Sequence, residues 1–239
     1  MISSAEERYL RAIYQISQAE YPGKCSLNEL SLHLGLKAPT VLERIRNMEK
    51  ARWLTYTREK GILLSPSGYK KALQVVRKHR IWETFLQKVC KFNWSEVHEL
   101  AELLQQVNSD KLLDRIFVLS GEPRFDPHGD PIPDKEGSMP PSQRRPLLES
   151  TEGCRCTVLG VLEDSPDFLN YLSELHIGLN EKIQVERVFG FDGSMKVRYK
   201  NHENVLLSPK VAEKIMVQCN KTDCSCKTKK GPPRGSLFK

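Results

Sequence analysis

SLNELSLHLGLKAPTVLERIRNMEKARWLTYTREKGILLS, residues 26–65, is the stretch that decides the fold. Ser26-Leu27-Asn28-Glu29 has the form of a capping box, serine at the cap and glutamate three residues on. The short helix it opens buries Leu27, Leu30 and Leu34 and stops at Gly35. A turn of three to four residues, LKA, follows, and Pro39 sits where a first helical turn tolerates it. Val41, Ile45 and Met48 give the next helix its apolar face. Two β-rich runs then flank Glu59-Lys60-Gly61, a hairpin signal. Helix, tight turn, helix and basic hairpin is the order of a winged helix-turn-helix, whose second helix enters the major groove of DNA. The exposed positions of that helix include Thr40, Glu43, Arg44 and Arg46, and the hairpin tip offers Arg58 and Lys60 to phosphate. The plainer alternative is a small helical bundle with a surface hairpin.

Charge favours the DNA reading. The chain of 239 residues carries a net charge of +7. Residues 1–80 alone hold 15 Lys and Arg against 7 Asp and Glu, the electrostatic footprint of a nucleic-acid binder. Hydrophobic residues make up 39% and charged residues 28%, the balance of a soluble globular protein. No apolar run approaches the roughly 18 residues of a membrane span. MISSAEERYL has no basic n-region or apolar h-region, so no signal peptide is read. The seven cysteines form no recognisable disulfide framework: Cys25 and Cys90 are isolated, Cys154 and Cys156 are too close to pair easily, and Cys219, Cys224 and Cys226 lie in a tail. A cytoplasmic, reducing setting is the expectation.

Upstream of the opening stretch, Ser4-Ala5-Glu6-Glu7 reads as another capping box, starting a helix with Leu10, Ile13 and Tyr14 facing a core. Downstream, Ser65-Pro66 starts a long helix containing VRKHRIWETFL, residues 76–86. Its apolar stripe runs Ala72, Val76, His79, Glu83, Leu86, which places a histidine and a carboxylate on a face that should be oily. Amphipathic helices around residues 95–119 could carry a dimer interface. PRFDPHGDPIPDKEGSMPPSQRRP, dense in Pro, Gly and charge, reads as a linker ordered at most in part. Short β-like runs follow, with Asp192-Gly193 as a hairpin turn and SPDFLNYLSELHIG as a short helix. The expected architecture is a mostly α winged helix-turn-helix plus a helical dimerisation domain, followed by a small SH3-like β-barrel of about five strands. The domains are residues 1–70 for DNA binding, 71–122 for dimerisation and metal, a 123–152 linker, a 153–218 barrel, and a flexible Cys/Lys-rich tail at 219–239.

The chemistry lies in two i, i+4 pairs, His79 with Glu83 and His98 with Glu102. Two such pairs on neighbouring helices can converge on one ion, as in bundle metal sites. Imidazole plus carboxylate suits Mn, Fe, Co, Ni or Zn. Ordinary hydrogen-bonded helix pairs are the alternative. Cys224-Ser225-Cys226 with Cys219 is a second candidate set, for soft metals, against a reading of incidental tail cysteines. Cys154-Arg155-Cys156 reads as structural, and His128, His176 and His202 as lone histidines without a role. No nucleophile–base pair and no phosphate-binding glycine loop point to an enzyme.

On YLRAIY, APTV, ERIRNMEKARWL, VRKHRIWETFL, EVHELAELLQQVNSD and DPHGDPIP, the chain resembles the diphtheria-toxin-repressor/MntR family of iron- or manganese-dependent transcriptional repressors. Its long branch carries a C-terminal FeoA-like barrel. The resemblance implies a homodimer that binds a palindromic operator in double-stranded DNA when loaded with Mn(II) or Fe(II), with Zn(II), Co(II) or Ni(II) substituting in vitro. It places the ancillary metal site on His79, Glu83 and His98, with Asp164 and Asp167 of the barrel supplying further oxygens. The primary site departs from the family pattern: Arg8 stands where a Met or carboxylate is usual, Glu102 is kept, and the following Glu and His are Gln105 and Gln106. Arg8 is expected to pair with Glu102 as a built-in cation, so that helix one stays linked to the central helices without an ion. The resemblance also puts Lys37, Ala38, Pro39 and Thr40 at the DNA, and Glu43 where other members carry a polar residue. Two further readings remain: a metal-buffering or metal-transport accessory protein, and a repressor that binds DNA without metal.

Overall fold

The computed structural model describes residues 2–19, 25–141 and 144–219. The tail candidates Cys224 and Cys226 lie outside the described residues. The chain divides into two compact units. One comprises residues 1–79, 104–108 and 133–138; the other comprises 80–103, 109–132 and 139–239.

In the first unit, helix α1 (Ser4–Ala19) precedes α2 (Leu27–Leu34) and α3 (Ala38–Lys50). The N-terminal capping box is shifted by one residue from the sequence reading. Ser3, not Ser4, is the cap: Glu6 N donates to Ser3 Oγ at 3.3 Å and Ser3 N donates to Glu6 Oε2 at 2.8 Å. The Ser26/Glu29 box is formed reciprocally. Gly35 ends α2 at φ +66°, the left-handed conformation that favours glycine, and its N–H caps Leu32 O. Leu10, Ile13, Leu30, Val41, Ile45, Met48 and Ile62 are fully buried and form the core of this unit. Strands β1 (Leu54–Thr57) and β2 (Gly61–Leu64) pair antiparallel from Leu54↔Leu64 to Thr57↔Gly61. Ile62 N donates to Cys25 O at 2.8 Å, so the chain before α2 joins the wing.

Helix α4 (Pro66–Lys88) is continuous across the division between units. Its stripe is buried as the periodicity requires, polar members included: Ala72, Val76, His79, Glu83 and Leu86 all lie in the interior.

The second unit holds α5 (Val97–Leu104) up to Leu103, α6 (Asp110–Leu119), and a six-stranded antiparallel sheet. Its strands are β3 (Arg145–Pro146), β4 (Arg155–Val161), β5 (Lys182–Val188), β6 (Met195–Tyr199), β7 (His202–Leu207) and β8 (Ile215–Cys219), in the order β3-β8-β4-β5-β6-β7. Helices α7 (Pro166–Glu174) and α8 (Pro209–Lys214) cover a core of Val158, Leu169, Leu172, Ile177, Val185, Val197, Leu207 and Val217. The sheet domain has one more strand than the sequence suggested, because the two-residue β3 is too short to leave a pattern.

Two expectations are corrected here. Residues 123–132, read as linker, are tied down: Phe125 bridges Pro131, and Val161 N donates to His128 O at 2.9 Å. Gly129, at φ +84°, lies so close to β4 that a Cβ would meet Leu159 O at 1.8 Å. Second, the cysteine spacing suggests no disulfide framework, yet Cys156 and Cys219 form a disulfide across β4 and β8. They are 63 residues apart, and only strand register brings them together.

Candidate metal centre and nucleic-acid interface

Helix geometry puts His79 and Glu83 one turn apart on a single face of α4. Their surroundings differ. Within the first unit, Arg11 of α1, itself buried, places Nη1 2.6 Å from His79 Nε2 and 3.0 Å from Nδ1, and Gln105 Oε1 lies 3.1 Å from His79 Nδ1. Arginine only donates, so the guanidinium lies against the imidazole ring as a fixed cation. Of the altered primary-site residues, Gln105 is buried against His79, Gln106 is exposed, Glu102 is half-buried, and Arg8 Nη2 donates to Leu34 O at 3.1 Å. Sequence reasoning singled out Arg8 and missed Arg11. Arg8 immediately precedes YLRAIY and Arg11 lies within it, but no pattern marks which arginine turns inward.

Within the second unit, Glu83 is 3% exposed and meets other ligand-type groups. His98 Nδ1 lies 3.1 Å from Glu83 Oε1 and 3.7 Å from Asp164 Oδ2. His128 Nδ1 lies 3.9 Å from Glu83 Oε1. The candidate ligand atoms of Glu83, Asp126 and His128 all fall within 4.8 Å of one another, and all three residues are buried. Asp167 is exposed in the first turn of α7 and belongs to no such group among the described residues.

His128, left without a role by the sequence reading, is therefore part of the cluster. Its Nε2 lies 2.9 Å from Trp94 O and its ring stacks on Trp94. A carbonyl only accepts, so Nε2 carries a proton, and Nδ1 is the ring atom that faces Glu83. The DPHGDP turn builds this placement itself: Asp126 Oδ1 accepts from His128 N at 2.8 Å and Asp130 N at 2.9 Å. Two aspartates flanking a histidine and a glycine were the available signal, one that composition had assigned to a linker.

Arginines brace the turn. Arg80 Nε lies 3.3 Å from Asp126 Oδ2 and its Nη2 2.9 Å from Asp130 Oδ2, while Arg144 bonds Gly129 O and pairs with Asp130. Burial raises the Asp126 pKa, reinforced by Asp130 and Glu83 and opposed by Arg80 and His128. Burial works to lower the His128 pKa, but Glu83 and Asp126 outweigh it and the net shift is upward. Asp130 shifts down because Arg80 and Arg144 overcome its desolvation. Two imidazoles with several carboxylates match the donor chemistry of Mn(II), Fe(II) or Zn(II).

On α3 and the wing, Lys37, Pro39, Thr40, Glu43, Arg46 and Lys60 are exposed, and Ala38 and Arg44 half-buried. Arg46 pairs with Glu49 at 2.7 Å and lies over the Tyr56 ring. Glu49 also accepts from Tyr56 N at 2.9 Å, joining α3 to the wing.

The comparisons with known proteins agree with this architecture. Residues 1–62 match the iron dependent repressor, N-terminal DNA binding domain; residues 65–134 match the iron dependent repressor, metal binding and dimerisation domain; residues 145–219 match the FeoA domain. A solved manganese-dependent transcriptional repressor in complex with manganese is 32% identical, with a TM-score of 0.82, over 90% of this chain and 100% of that one. The chain belongs to the diphtheria-toxin-repressor/MntR family of metal-dependent transcriptional repressors. Among relatives in this family, the iron-dependent repressor IdeR of Mycobacterium tuberculosis is 27% identical over 225 residues, 89% of this chain and 96% of the relative. The diphtheria toxin repressor of Corynebacterium jeikeium is 29% identical over 187 residues, 75% of each chain. Members of this repressor family are not enzymes, and no described helix is long and apolar enough to cross a membrane.

Proposed function

We propose that this chain is a cytoplasmic, homodimeric repressor of metal-ion homeostasis genes, whose hold on a palindromic operator is set by Mn(II) or Fe(II) at one site per chain. The carrying observation is the buried Glu83 carboxylate with two imidazoles directed at it. Glu83, His98, His128, Asp126 and Asp164 would hold the ion, which would supply a divalent positive charge among these carboxylates. His79, which the family resemblance adds to the set, is held beside Arg11, and Asp167 is the outlying oxygen donor. The altered primary site, with Arg8, Gln105 and Gln106 in place of the family's ligands and Glu102 kept, would hold an ion weakly or not at all; Arg8 already donates to Leu34 O and Gln105 Oε1 already lies at His79 Nδ1.

The DNA contact runs through Lys37, Ala38, Pro39, Thr40, Glu43, Arg44, Arg46 and Lys60. Arg46 is already paired with Glu49, so it acts by shaping the α3–wing junction as well as by charge. Exposed Leu112, Val118 and Leu119 on α6, at 42%, 56% and 67% exposure, offer the apolar surface that a second copy would cover.

The test is operator-length DNA binding by chelated full-length protein, with Mn(II), Fe(II), Co(II) and Zn(II) restored separately. Retention only after Mn(II) or Fe(II) supports the reading. Tight retention in chelator favours the metal-independent repressor, and no retention with any metal favours the accessory protein.

A further inference from the structure

We propose that Trp94 is the positioning residue of the metal centre. It holds the His128 ring through its main-chain carbonyl and its indole face, and is itself anchored on Ser173 of α7. The inference rests on the metal reading above, and all of these residues belong to the second unit. His128 Nε2 donates to Trp94 O at 2.9 Å. The two rings are stacked, with centroids 6.4 Å apart and 19° between their planes. His128 is thus tied at one ring nitrogen and covered on one face, and the other nitrogen, Nδ1, lies 3.9 Å from Glu83 Oε1.

Trp94 is fixed from both sides. Its carbonyl is presented by a closed turn after α4, in which Glu96 N donates to Asn93 O at 3.0 Å and Asn93 N donates to Glu96 Oε2 at 2.9 Å. Its indole packs against the sheet-domain core that holds Leu169 and Leu172. Indole Nε1 donates to Ser173 Oγ at 2.9 Å, and Ser173 Oγ donates in turn to Leu169 O at 2.8 Å. An indole N–H only donates, whereas a hydroxyl both donates and accepts, so one direction of donation runs through the chain. Asp164, just before α7, reaches the centre separately, its Oδ2 3.7 Å from His98 Nδ1. The segment around α7 therefore meets the centre twice, directly through Asp164 and through Ser173 by way of Trp94.

A partner at the far nitrogen of a ligand imidazole fixes which nitrogen is left for the ion and how the ring is turned. A ring held in place beforehand also costs less to order when the ion binds. Trp94 and Ser173 act on the ion only through His128, so their contribution disappears when the imidazole is removed. A purely structural contribution from the same two residues would persist without it.

The experiment titrates the full-length chain with Mn(II) in a calorimeter, for the parent, Trp94→Phe, Ser173→Ala and His128→Ala, and for each of the first two variants combined with His128→Ala. Trp94→Phe keeps the carbonyl and an aromatic face but loses the N–H, and Ser173→Ala removes its acceptor. Each should weaken Mn(II) binding about 3- to 10-fold, the scale of one hydrogen bond. Neither should weaken it further in the His128→Ala background. The metal-free chain gives a second reading: the His128 Nε2–H should appear in nitrogen-15 spectra of the parent as a signal protected from solvent exchange, and should exchange faster in both variants. Parent-like affinity and parent-like exchange in both variants would overturn the proposal. So would an equal loss of affinity in the His128→Ala background, the mark of a general structural effect. A parent that takes up no Mn(II) would overturn the metal reading and this proposal with it, whereas uptake untouched by either variant would overturn this proposal alone.

Discussion

His79 and Glu83 occupy neighbouring turns of α4 and are equally buried, yet within its own unit each meets a different set of side chains. His79 has Arg11 against both ring nitrogens and Gln105 at Nδ1. Glu83 has His98, His128 and Asp126 around it. One turn of helix separates an imidazole with a fixed guanidinium against its ring from a buried cluster of carboxylates and imidazoles. A fixed guanidinium is always charged and is in place whatever the metal supply. A buried carboxylate cluster is costly unless compensated, so it is there that an exchangeable ion has the most to contribute.

The strongest way to break this contrast is at Glu83. Glu83→Gln should reduce Mn(II) affinity by at least 100-fold in a calorimetric titration, whereas Gln105→Ala should change it by less than 3-fold. Equal losses would erase the distinction between the two neighbourhoods. The next effect belongs to the DPHGDP turn. His128→Ala or Asp126→Asn should weaken Mn(II) binding by about 10- to 100-fold, in the range seen when metal-site partners are removed; His202→Ala in the sheet domain should not. Asp167→Ala, at the exposed end of α7, should cost less than either.

DNA binding supplies a smaller, graded effect. Lys60→Ala should lower affinity for operator and random DNA alike and flatten the slope of log K against log salt by roughly 0.9. Thr40→Ala and Glu43→Gln should act on the operator more than on random DNA. Identical slopes and unchanged specificity in all three would remove α3 and the wing from the interface. The smallest effect is local. Ser26→Ala should cost about 0.5–2 kcal/mol of stability through loss of the α2 cap, measured by urea unfolding. Glu29 in that box has a lowered pKa, held down first by the Ser26 side chain and then by the Ser26 backbone. Its contribution is therefore present above the ordinary carboxylate pKa and is lost as pH falls through the lowered folded value. In Ser26→Ala that acid-side slope should shrink.

These residues also show what a sequence can disclose. The Ser26/Glu29 box, Gly35 and the buried stripe of α4 depend on spacing within a few residues, and spacing is visible in a sequence. So were Glu83 and His98, because i, i+4 pairs mark helix faces. The Ser3 cap was misread by one position because either serine satisfies the local pattern and geometry decides between them. His128 and Asp126 were missed for a different reason. Pro, Gly and Asp signal turns, and nothing local says that a turn will be drawn inward by Arg80 and Arg144. Arg11 and the Cys156–Cys219 pair depend on packing and strand register across long separations. No motif spans those distances.

The most direct test of the account is Mn(II) stoichiometry by equilibrium dialysis on full-length protein with its cysteines alkylated, for the parent and for Glu83→Gln. The account predicts one Mn(II) per chain in the parent and none retained in Glu83→Gln. Two ions per chain in the parent, or one that survives in Glu83→Gln, would contradict it.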